Sequence, residues 1–231
     1  MSTQHEDSGD VVHGASDRRA FLGRLAAGAA GAGILGSAGA LAVPEALGAL
    51  TTAPDPDPEH WLDKLTGKHR QMVDAYTPNE GFPLAFVHTF LATQPAGQTA
   101  GAVIVMRHFA MPFSLNHAVW AKYKIGQALK VTDPETKQIA VKNPFFHPKP
   151  GVLLVDDMSV DRLLARGVIV GACNVALHVL SGMFAGNAGV NKDAAAAEWT
   201  AGIIPGITVI PSGTWGVNRA QEKGCTYCAG G

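Results

Sequence analysis

Residues 165–178 read Ala-Arg-Gly-Val-Ile-Val-Gly-Ala-Cys-Asn-Val-Ala-Leu-His, and the fold turns on how this stretch is divided. Val168, Ile169 and Val170 are a β-branched run entered through Gly167, the composition of a short buried strand. The run closes at Gly171 and Ala172, and from about Asn174 to Leu180 the pattern is helical. Cys173 therefore falls at the carboxyl end of a strand and at the mouth of a helix. In an open α/β sheet ligands bind at that position, and free helix N–H groups there stabilise a thiolate. A free cysteine at the same place is equally a small, inert core residue. The residues leave both readings open.

Upstream, Ala100–Met106 carries no polar side chain, as expected of a central parallel strand covered on both faces. Glu59–Leu65 reads as a short helix capped by Asp57, Gln71–Tyr76 as a first strand, and Pro83 opens a helix to about Ala92. A single helix is expected from Pro112 to about Leu129. Between about 130 and 150, Val131–Thr136 and Asn143–Pro150 cannot continue a helix and form an irregular insertion, a candidate lid or subunit contact. Val152–Val155 is a further candidate strand, Asp156 and Asp157 read as capping residues, and Ser159 caps a helix over 160–165. Downstream come a helix to about Phe184, another at Asn191–Trp199, a strand at Ile207–Ile210 and a last helix at Val217–Lys223. This alternation predicts a doubly wound parallel sheet in one domain over residues 58–231. Trp61, Trp120, Trp199 and Trp215 sit on or beside amphipathic helices and read as core and interface residues, with a ligand cavity as the alternative.

The residues just past the expected strand ends carry the chemistry. They are Asp74, Arg107 with His108, Cys173 with Asn174, and Ser212 with Gly213. Arg107 or His108 supplies a positive field for a Cys173 thiolate, or His108 acts as its base. A structural, hydrogen-bonded His108 and a capping Asp74 are the plainer readings. Cys225-Thr-Tyr-Cys228 is a C-x-x-C that reads as a redox dithiol, a disulfide, half of a metal site or inert thiols. Three cysteines cannot make a four-cysteine zinc site, and His60, His69, His88, His108, His117, His147 and His178 show no ligand spacing among themselves. A net charge of −1 gives no electrostatic reason to expect nucleic acid or an anionic membrane as partner.

The first residues have a different character. Asp17-Arg-Arg-Ala-Phe-Leu22 precedes a Gly/Ala-rich apolar run to about Val43, with Ala40-Leu-Ala42 as a small-x-small cleavage site and Ala53 as a later one. This resembles a twin-arginine export signal, with Asp17 where Ser or Thr is usual. A transmembrane anchor is the alternative, and the Gly and Ala content makes it a weak one. Residues 1–53 are thus expected to be signal peptide and linker, the Pro-rich Thr51–Pro58 marks the boundary, and the mature chain is expected in the periplasm or outside the cell.

Three ordered features of the second half resemble the DsrE-like family of small α/β sulfur-handling proteins. They are Gly167–Leu177 with Cys173, the strand Ile204–Gly213 entered through Pro205-Gly206, and the closing Arg219-Ala-Gln-Glu-Lys-Gly-Cys-Thr-Tyr227. The first half is similar to exported, uncharacterised members of that group through Lys68–Gln71 before Asp74, Met106-Arg-His108 with Pro112-Phe113, Trp120-x-x-Tyr-x-Ile-Gly126 and Asn143-Pro-Phe145. The resemblance implies a three-layer, flavodoxin-like or Rossmann-like layout of about five mostly parallel strands, a trimer or hexamer, and a cysteine, matching Cys173, that accepts sulfur as a persulfide from a donor protein. The expected function is accordingly thiol or sulfur handling at Cys173, with Cys225 and Cys228 as onward acceptors. A non-enzymatic oligomeric ligand-binding module is the rival, and an exported metal- or haem-binding protein the third reading.

Overall fold

Along Ala100–Met106 successive side chains go to opposite faces: Ala102, Ile104 and Met106 enter one apolar cluster, Val103 and Val105 the other. That two-sided burial places the strand inside a sheet covered on both faces. The computed structural model describes residues 58–231; the twin-arginine motif, the apolar run, both cleavage sites and Asp57 lie outside the described residues. In order, the elements are β1 (His69–Ala75), α1 (Phe82–Ala92), β2 (Ala100–Met106), α2 (His117–Lys122), α3 (Ile125–Leu129), α4 (Val160–Ala165), β3 (Ile169–Cys173), α5 (Asn174–Phe184), α6 (Lys192–Ala201), β4 (Thr208–Ile210), α7 (Gly213–Glu222) and β5 (Thr226–Ala229).

The five strands form one sheet in the order β4-β3-β2-β1-β5, every neighbouring pair parallel. One face carries the larger cluster, contributed by α1, α2, α5 and α6. The other is covered by a 3-10 turn at Pro58–Leu62, which supplies Trp61 and Leu62, and by α7, which supplies Ala220. The result is a three-layer α/β fold consistent with a flavodoxin-like arrangement. Among the described residues no helix is long and apolar enough to cross a membrane.

Four sequence expectations are corrected. The long helix from Pro112 to Leu129 is three pieces, because Asn116 is extended and caps α2 through Val119 N–H, and Lys124 takes a left-handed φ of 50° between α2 and α3. The expected helix at 59–65 is a single 3-10 turn that ends at Leu62. Val152–Val155 pairs with no strand and leaves Leu154 exposed. The final helix begins at Gly213, four residues early, because Ser212 Oγ accepts the Trp215 N–H and caps it.

The insertion at 130–150 does not cover the strand-end pocket described below. The fully buried Asn143 donates from Nδ2 to the Phe113 and Leu115 carbonyls, at 2.9 and 2.8 Å, and accepts the Phe145 N–H. Phe145 then packs on Phe113 with ring centroids 4.7 Å apart. The insertion is thereby pinned into the core. Trp120 and Trp199 are fully buried core residues.

Candidate functional site

Cys173 is both the last residue of β3 and the N-cap of α5, with φ −68° and ψ 113°. Its Sγ accepts the Ala176 N–H at 3.3 Å. A thiolate formed there is held by that N–H and by the positive end of an eleven-residue helix. The residue is 5% exposed, and one side of it faces a pocket of about 420 Å³.

The pocket lies past the carboxyl ends of three adjacent strands. Arg107 and His108 follow β2, Cys173 ends β3, and Ser212, Gly213 and Thr214 follow β4. Its opposite wall is the apolar face of α5, formed by Val175, Ala176, Val179, Leu180 and Met183. Four of the strand-end residues expected to converge therefore do so with Cys173.

Asp74, a candidate for this site with capping as its plainer reading, is not a cap. It lies inside β1, 2% exposed, and its carboxylate takes a bidentate pair of hydrogen bonds from Arg107, Nε to Oδ1 at 2.7 Å and an Nη to Oδ2 at 2.9 Å. The Tyr227 hydroxyl donates to the same Oδ2 at 2.9 Å. Arg107 also packs over the Tyr76 ring, 5.2 Å from its centroid. The hydrogen bonds to Asp74 push the Arg107 guanidinium above its usual range against the effect of its partial burial, and the nearby Cys173 adds to the upward shift. Arg107 thus reaches the pocket as half of an ion pair with Asp74. Gly213 is required by contact: a Cβ there would sit 2.4 Å from Arg107 Cβ.

His108 lines the pocket and is exposed, with a left-handed φ of 49° and its ring edge-on to Phe109. Nothing joins it to Cys173, whose sulfur is bonded to Ala176 N–H. Asn174, the first residue of α5, is fully buried beside the cysteine and is not part of the pocket wall.

Cys225 and Cys228 fall elsewhere. The sequence Cys-Thr-Tyr-Cys runs into β5, which opens at Thr226, and an extended run of three residues spans about 10 Å between Cα atoms. A disulfide needs roughly 4.4–6.8 Å. Cys225 joins the cluster with Trp61 and Met72, while Cys228 packs against the opposite one, and all three cysteines are free. Burial pushes the Cys225 thiol up, away from reactivity. Register puts Cys228 level with Val73, Ile104 and Val170, three strands from β3. Cys173 is therefore about 14 Å across and about 10 Å along the sheet from it, too far for direct sulfur exchange within one chain. Among the described residues no three His, Cys, Asp or Glu side chains are grouped to hold a metal ion.

Two parts of the site escaped the sequence reading. Tyr227 was masked by its place between two cysteines, although β5 is what brings it to Asp74. The apolar wall of α5, with Val175, Val179 and Met183 spaced four apart, has the same pattern as a helix face packed into a core.

No family model matches the chain, and no curated protein matches it. Among solved structures, the protein of unknown function MTH1491 from Methanobacterium thermoautotrophicum is similar at 14% identity, over 70% of this chain and 99% of that one, with a TM-score of 0.39.

Proposed function

We propose that this chain is a DsrE-like thiol protein in which Cys173 accepts sulfane sulfur as a persulfide and passes it on. The observation that carries the reading is the position of the Cys173 sulfur: N-cap of α5, hydrogen-bonded to the Ala176 N–H at 3.3 Å, on the wall of an open pocket that Arg107 and His108 also line. In the loading step the thiolate attacks the outer sulfur of a donor persulfide. A new S–S bond forms on Cys173, the donor S–S bond breaks, and the donor leaves as a thiolate that takes up a proton. No external oxidant is needed. The leader at residues 1–53 supports placing this work outside the cytoplasm, and the exposed Val141 and Leu154, away from the pocket, support assembly into a homo-oligomer.

Mass spectrometry after incubation with a persulfide donor is expected to find about one added sulfur atom on the Cys173 peptide. Full loading of a Cys173→Ser variant overturns the proposal. The apolar wall of α5 favours a second reading, a non-enzymatic ligand-binding module. Native Cys173 that resists iodoacetamide and takes up no sulfur removes the first reading and leaves this one.

A further inference from the structure

Resting on that reading, we infer that the sulfur donor at Cys173 is a low-mass persulfide with an apolar organic group, and that α5 is the surface which recognises it. The pocket has two unlike halves. The reacting sulfur, Arg107, His108, Ser212 and Thr214 stand at the strand ends, and the facing wall along α5 is carbon. Along α5 the wall is Val175, Val179 and Met183, at positions i, i+4 and i+8, which lie in one stripe about 12 Å long. Val179 is 49% exposed and Met183 63%, large apolar side chains that face the pocket rather than the core.

Charge points the same way. Arg107 already has its charge matched by Asp74, and no Lys, Asp or Glu lines the pocket. A zwitterionic donor would bring an ammonium and a carboxylate with no carboxylate partner for the first. A donor carrying an alkyl or aryl group loses nothing on entering and buries its chain against the stripe. At about 420 Å³ the cavity is of the size that encloses a small molecule, not a folded domain. With the donor's outer sulfur at Cys173 Sγ, its organic group runs along α5, and its inner sulfur departs with the electron pair of the broken S–S bond.

The test compares hexyl persulfide, ethyl persulfide and cysteine persulfide as donors to the full-length protein. Rates of Cys173 loading are followed by mass spectrometry and normalised to the rate of each donor with a free small thiol. Each fully buried methylene is worth up to about fourfold, so hexyl is expected to exceed ethyl by at least tenfold, and cysteine persulfide to be slowest. Val179→Asp, a change at an exposed position, is expected to reduce the hexyl-to-ethyl ratio towards one. Equal normalised rates for all donors overturn the inference and leave Cys173 as a sulfur acceptor. Loading by no donor overturns the functional reading itself. If Val179→Asp dissociates an oligomer and leaves the donor ratio unchanged, the stripe is covered by a second copy of the chain, and the inference fails.

Discussion

Replacing Arg107 with Met is the most direct challenge to the description of the site. Asp74 is 2% exposed, and its carboxylate receives three hydrogen bonds, two of them from Arg107. After Arg107→Met, the Tyr227 hydroxyl is its one remaining side-chain donor, and a buried carboxylate without its cation costs about 3–5 kcal/mol. The Arg107 side chain is 30% exposed, so water enters the space it leaves, which places the expected loss near the lower end, at about 3 kcal/mol. Replacing both partners, as in Asp74→Leu with Arg107→Met, removes the stranded charge. That double variant is expected within about 1 kcal/mol of the parent, since the partly exposed Tyr227 hydroxyl turns to water. Urea unfolding of the full-length protein reads both effects as shifts in midpoint at constant slope. An Arg107→Met variant within about 1 kcal/mol of the parent, or a double variant as unstable as the single, refutes the pairing as the support of this strand end.

Three further outcomes are expected. Gly213→Ala drives a methyl group to within 2.4 Å of the Arg107 stem and is expected to cost about 1–3 kcal/mol; an unchanged urea midpoint contradicts the contact. Burial first, and then its hydrogen bond to Glu198, push the Tyr123 phenol up to about 12. Since the folded value lies above the unfolded value of about 10, the stability contributed by this group is full below about pH 10 and is lost as pH rises through about 12. Phenolate absorbance during alkaline titration should lose its latest component in Tyr123→Phe, and loss of an early component instead counts against this. Thiol titration of air-exposed, denatured protein should count three free thiols per chain; a single thiol shows that two of the three have paired and contradicts the separation described.

The parts of the fold that were legible share a physical property. β2 and β3 have apolar side chains at nearly every position because both faces are covered, and that signal needs no knowledge of the neighbours. From their ends follow the positions of Arg107, His108 and Cys173. β5 has no such signal: it is four residues long, mostly exposed, and owes its existence to pairing with β1 across the whole domain. Its two cysteines looked like a motif because spacing alone does not tell a turn, where they would meet, from a strand, where they part. Asp74 left two readings open for a related reason. A carboxylate near a strand end resembles a cap unless its partner, 33 residues away, is known. The helix expected from Pro112 broke where Lys124 entered the left-handed region, for which its residue type gives no warning.

The place of β5 has a consequence for how the chain comes into being. The strand that closes the edge beside β1 is the last of the sheet in sequence, with Tyr227 lying 153 residues beyond Asp74. At about 5–20 residues per second of synthesis, β1 waits on the order of ten seconds or more for that neighbour. Throughout that interval its outer edge offers unpaired N–H and C=O groups to any other extended chain. Asp74 meanwhile lacks one of its three donors. A molecule that lacks residues 226–229 therefore carries an open seam along β1. The docking of residues 226–229 closes it.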